Sequence, residues 1–174
     1  TGFDNIGTFT QTAGTLSGGT LTNTGTVNAN GGALNAAVAN SATFRVGGTV
    51  AGGGGAFSNE SPGTLSVAAG ANLGGLGAVT NAGTVTTVAG GALSGASYTQ
   101  IAGTTTNAGS LSATGAMAIN GGTLTSTGTL SAGSLSNAAT LNANGGAIGG
   151  AVTNTGTVNV GGAVTANNSF TNSA

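Results

Sequence analysis

The chain has 174 residues, and only Asp4, Glu60 and Arg45 carry charge, for a net charge of −1. It contains no His and no Cys, which removes thiol chemistry, disulfides and His or Cys metal sites, and so neutral a surface gives nucleic acid or an anionic membrane nothing electrostatic to hold. Hydrophobic residues still make up 38% of the chain beside 37 glycines and a single proline, which is too apolar for a charged disordered tract and lacks the strict glycine period of collagen.

Read in order, one phrase recurs: an apolar residue, Thr or Ser, Asn, a short turn, then Thr or Ser and another apolar residue. After FTQTAGT at Phe9 to Thr15 come LTNTGTVN from Leu21, VANSATFRV from Val38, FSNESPGTLSV from Phe57 and VTNAGTVTT from Val79. YTQIAGT at Tyr98 to Thr104 echoes the first segment, and TTNAGSLS from Thr105, LTSTGTLS from Leu124, LSNAATLN from Leu135 and VTNTGTVN from Val152 continue the series. A longer pair, NANGGALNAAV at Asn28 to Val38 and NANGGAIGGAV at Asn142 to Val152, shows that whole units have been duplicated. The marker Asn falls at Asn23, Asn40, Asn59, Asn81, Asn107, Asn137, Asn154 and Asn172, with Ser126 standing in once.

Each copy alternates with period two. Val27 and Ala29, Phe44 and Val46, or Leu65 and Val67 face one way, while Thr26 and Asn28 face the other. Glycine pairs at Gly31–Gly32, Gly47–Gly48, Gly90–Gly91, Gly121–Gly122, Gly145–Gly146 and Gly161–Gly162 then predict corners with positive φ. Short strands separated by corners cannot bury an apolar face alone, so they must stack as coils. The expected fold is all-β: a single-stranded parallel β-helix (β-solenoid) of roughly 17–20 residues per coil and about nine coils, one continuous unit over 1–174. At ~4.8 Å per coil the rod is roughly 45 Å long. The long steps from Asn59 to Asn81 and from Asn81 to Asn107 are expected to hold loops or extra strand pieces. The recurring Asn is open to two readings, a turn residue or an amide ladder in which each side chain bonds to the Asn one coil away; both are structural.

Catalysis finds no footing. Without His, Lys or a pair of acids nothing activates the many hydroxyls, and the run Gly52 to Gly55 lacks the Lys of a phosphate loop. No catalytic, cofactor or metal site is expected, calcium included, because Asp4 is the only Asp. A face of regularly spaced threonines would bind ice. The outward pairs after each marker read Thr26 and Asn28, Thr43 and Arg45, Thr64 and Ser66, Thr84 and Thr86, Ser110 and Ser112, Thr129 and Ser131, Thr140 and Asn142, Thr157 and Asn159, a broken rank with one Thr-x-Thr among eight.

On the phrases YTQ-x-AGT, LTNTGTVN and NGG-A-L, the chain resembles the passenger regions of autotransporter and filamentous-haemagglutinin-type exoproteins of Gram-negative bacteria. The resemblance implies a right-handed parallel β-helix at the bacterial cell surface or released from it, with no binding residue to carry over. The expectation is a non-enzymatic extracellular structural protein, an adhesin stalk or a self-assembling surface fibre, with no membrane insertion and no nucleic acid. Its partners would be second copies joined through solenoid ends or neighbouring passenger segments. The alternatives are an adhesive module recognising surface glycans or matrix, and an ice-binding solenoid.

Overall fold

The computed structural model describes residues 2–173 as 22 strands with no helix. Thr1 and Ala174, the ends of the single unit read from the sequence, lie outside the described residues. Every strand pairing is parallel, and strands pair with partners one coil away in sequence. The chain is therefore a parallel β-solenoid of about nine coils, each with three sides. In the second coil the first side is Thr20–Asn23, and one bent strand, Thr26–Leu34, supplies the second and third.

The alternation of apolar and small polar residues decides which way each side chain points. On the first side Leu21, Val38, Phe57, Val79, Tyr98, Met117, Leu135 and Val152 stack inward, all of them buried. On the second side Val27, Phe44, Leu65, Val85, Thr105, Leu124 and Leu141 do the same. The core is a single narrow column, so its layers compensate for one another in volume. Phe44 and Phe57 meet edge to face at 5.0 Å and 83°. Where Tyr98 takes up more of the cross-section, the neighbouring second-side position in its coil shrinks to Thr105.

One advance of the ladder column takes 17 to 22 residues, a wider spread than 17–20. The longest coil begins at Asn59: it contains the turn Glu60–Gly63, with a cis Ser61–Pro62 bond, and a strand with a register shift between Leu73 and Leu76. The interval from Asn81 to Asn107 holds no insertion. The coil step from Asn81 leads to Gln100, and Asn107 lies on a different side.

The expected positive φ is present at both residues of Gly145–Gly146, and the other glycine pairs need correcting. Positive φ occurs at Gly32, Gly90 and Gly122 but not at their partners Gly31, Gly91 and Gly121, and at neither Gly47–Gly48 nor Gly161–Gly162. In those last pairs the reason for glycine is crowding: a Cβ on Gly48 would strike the Asn30 carbonyl oxygen, and one on Gly162 the Asn144 carbonyl oxygen. The run Gly52 to Gly55 rounds the end of a strand into a corner, with positive φ at Gly54.

Candidate functional site

The corner between the first and second sides carries a column of inward-facing amides. Asn5 donates to Asn23 Oδ1 at 2.7 Å, Asn23 to Asn40 at 2.6 Å, Asn40 to Asn59 at 2.7 Å and Asn59 to Asn81 at 2.8 Å. Further along, Asn137 donates to Asn154 and Asn154 to Asn172, each at 2.7 Å. Every step runs in the same direction, from lower to higher residue number.

Each amide also uses its second hydrogen. Asn23, Asn40, Asn59 and Asn137 reach the carbonyls of Thr43, Thr64, Thr84 and Thr157, one coil ahead. An Asn has one acceptor oxygen and two N–H donors, and this arrangement engages all three, because Oδ1 also receives the backbone N–H two residues on at Asn23, Asn81, Asn137 and Asn154. For buried amides such saturation matters, since an orphaned buried polar group costs about 1–3 kcal/mol.

The column is interrupted at two coils, where register places Gln100 and Ile119. Thr105 and Tyr98 carry the bonding on from Asn81 to Gln100, and Ile119 breaks it before Asn137. The Tyr98 hydroxyl lies 2.5 Å from Thr105 Oγ1, Thr105 donates to Gln100 Oε1 at 2.5 Å, and Asn81 donates to Thr105 Oγ1 at 3.2 Å. With Thr105 committed as donor to Gln100, Tyr98 donates to Thr105. Burial pushes the Tyr98 phenol well above its usual range.

Of the eight Asn singled out in the sequence, Asn23, Asn40, Asn59, Asn81, Asn137, Asn154 and Asn172 share this column, and Asn107 does not. Asn107 ends a second-side strand, stacked between Thr87 and Ser126, and donates to Ser126 Oγ at 3.1 Å and to the Thr129 carbonyl at 2.9 Å. It repeats the same construction one corner further round the coil. Its Oδ1 has no partner, nor has the Thr87 hydroxyl below it. Asn5, which belongs to the column, lies in a first strand whose sequence, FDN, lacks the Thr of the recurring phrase.

The same rotation of phase changes the outer surface. The second side runs through Thr8–Gln11, Thr64–Val67, Thr84–Thr87, Thr104–Asn107, Thr123–Ser126, Thr140–Ala143 and Thr157–Val160, with the longer strands from Thr26 and Thr43 between the first two. Register aligns Thr8, Thr26, Thr43, Thr64, Thr84, Thr104, Thr123, Thr140 and Thr157 in one unbroken outward file. Beside it runs a second file: Thr10, Asn28, Arg45, Ser66, Thr86, Thr106, Thr125, Asn142 and Asn159. Ser110 and Ser112, and Thr129 and Ser131, read from the sequence as part of this rank, belong to the third side.

The charged groups are dispersed. Asp4 is on the first side of the first coil, Arg45 on the second side of the third, and Glu60 in a turn, all exposed. Among the described residues no ion pair joins them, and no three His, Cys, Asp or Glu gather where they could hold a metal. No helix is long and apolar enough to cross a membrane. Open grooves lie near each end of the rod and beside Arg45, the last lined by Asn28, Asn30, Ser66 and Val88.

Neither the known protein families, nor curated proteins, nor solved structures include a match to this chain.

Proposed function

We propose that this chain is a load-bearing rod on the outside of a bacterial cell, serving as a stalk that holds other segments away from the surface or as a unit of a surface fibre. The observation that carries this reading is the buried polar column. Two amide runs of the same direction, Asn5 to Asn81 and Asn137 to Asn172, lie along the coils inside a continuous core, with parallel backbone pairing at every coil. Force along such an axis is shared among many parallel hydrogen bonds.

The ladder's polarity gives the rod a rule for extension. It presents a carbonyl acceptor at Asn5 and an amide donor at Asn172, beside the apolar side chains Phe3 and Phe170, so a further coil can be added at either end in the same register. That coil can come from continuing chain, as in a stalk, or from a second copy, as in a fibre. The resemblance of the repeated phrases to autotransporter and filamentous-haemagglutinin-type passengers supports the extracellular location.

Pulling one molecule along its axis tests the reading. Discrete rupture events are expected of a load-bearing rod, and smooth entropic extension contradicts it.

A further inference from the structure

We infer that the second side of the solenoid is an ice-binding face. Three observations point there. The first is the length and continuity of the surface: the nine second-side strands pair without a register shift, since the shift in the strand from Thr26 falls beyond Ala29, where the chain leaves this side. The other two sides present no such file. Outward on the first side Thr22, Ala39, Ser58 and Thr80 alternate in kind, and on the third Ala92, Ser110 and Thr129 do.

The second observation concerns the hydroxyls. Apart from Thr64, whose Oγ1 lies 3.5 Å from the Ala42 carbonyl, no threonine of the first file has an intramolecular side-chain partner among the described residues. All nine are exposed or half-buried, with the β-branched methyl and hydroxyl held in a stiff rotamer by the strand. The neighbouring file behaves differently: Asn142 donates to Thr125 Oγ1 at 3.2 Å and Asn159 to Asn142 Oδ1 at 2.9 Å, so it is braced by bonds between coils. A rigid array of hydroxyls thus has its hydrogen-bonding capacity turned outward.

The third observation is the grid. Coils repeat at ~4.8 Å, and residues i and i+2 of one strand lie about 6.6 Å apart. Water bonded tetrahedrally at about 2.75 Å places second-neighbour oxygens about 4.5 Å apart and repeats along the hexagonal axis every 7.3 Å or about that. Across two files the strand direction has to match only once. Along the axis the mismatch is about 0.3 Å per coil, about 0.6 Å over the two steps that span three coils, within what hydroxyl rotation and an adapting water layer absorb. The best-matched block is the three consecutive coils bearing Thr84 and Thr86, Thr104 and Thr106, and Thr123 and Thr125.

Charge argues for this occupant over a charged polymer. The face carries Arg45 and no other ionisable group across eighteen outward positions. A neutral grid of methyls and hydroxyls complements ordered water, because the methyls favour cage-like water and the hydroxyls anchor it.

The test uses the whole chain, with thermal hysteresis measured by osmometry and partition of fluorescently labelled protein into a growing ice hemisphere. Thr104→Tyr and Thr106→Tyr stand in the central block, and Ser131→Tyr, outward on the third side, is the control; circular dichroism verifies that each remains β-folded. The inference expects hysteresis and incorporation into ice for the parent chain and Ser131→Tyr, with loss of both in the two threonine variants. Exclusion of the folded parent from ice overturns it. So does an equal loss in Ser131→Tyr, or retention on cellulose or chitin particles without any effect on ice, which would assign the face to a neutral polysaccharide. None of these outcomes touches the rod reading, which the pulling experiment tests separately.

Discussion

A single asparagine in this solenoid bonds to two coils at once, and its worth depends on how completely it is satisfied. Asn40 accepts from Asn23 and donates to Asn59, to the Thr64 carbonyl and to the Ala42 carbonyl. Asn40→Ala removes these bonds and leaves an orphaned donor on Asn23 and an orphaned acceptor on Asn59, so a loss of about 2–4 kcal/mol is expected in denaturant unfolding. Asn107, whose Oδ1 is already unpartnered, should cost about half as much on replacement by Ala. Equal losses would mean that the ladder is no more than a row of turn residues. Tyr98 supplies a second residue-scale prediction, because its phenol is pushed up by burial and a raised pKa means the folded state holds the neutral form. Its stabilisation is present in full below pH about 10, the unfolded phenol's value, and is lost as pH climbs toward the folded one. The denaturation midpoint should fall above pH about 10, and Tyr98→Phe should flatten that decline. Tyr98 is the only tyrosine, so its ionisation can be followed directly by ultraviolet absorbance.

At the scale of the element, the recurring phrase encodes a corner, and a three-sided coil has three corners. VTNAGTVTT places its Asn between the first and second sides, whereas TTNAGSLS and LTSTGTLS place Asn107 and Ser126 between the second and third. The strands, their inward and outward faces and the coil count were therefore legible from alternation alone. The phase was not, because the same local chemistry serves each corner equally well, and only the stacking of Gln100 over Asn81 reveals the slip. The full threonine file was hidden for this reason, and Ile119 hid the ladder's interruption, since it keeps the alternation while carrying no amide. Corners also impose a strict size limit. Gly103 has φ 65°, and a Cβ there would run into the Gly83 carbonyl oxygen in the coil below. Gly103→Ala should cost about 3 kcal/mol by thermal unfolding, through the left-handed backbone and the displaced neighbour together. A loss below about 1 kcal/mol would show that adjacent corners are not in close backbone contact.

For the whole molecule, parallel pairing and a core one side chain wide make each coil dependent on the next, so stability is a sum of coil-to-coil interfaces. The rod is polar along its length: amide donors point one way, and the strands run in one direction on each side. The proposed stalk loads this molecule along its axis, while its sides are nearly uncharged surfaces, so the stalk proposal and the threonine face do not depend on each other. Single-molecule force spectroscopy, with handles on the first and last coils, tests the load-bearing claim most directly. Discrete ruptures are expected, each lengthening the molecule by whole coils of 17 to 22 residues, or roughly 55–70 Å per coil at the reach of an extended chain, and Asn40→Ala should lower the rupture force. A smooth entropic stretch with no rupture would contradict the account.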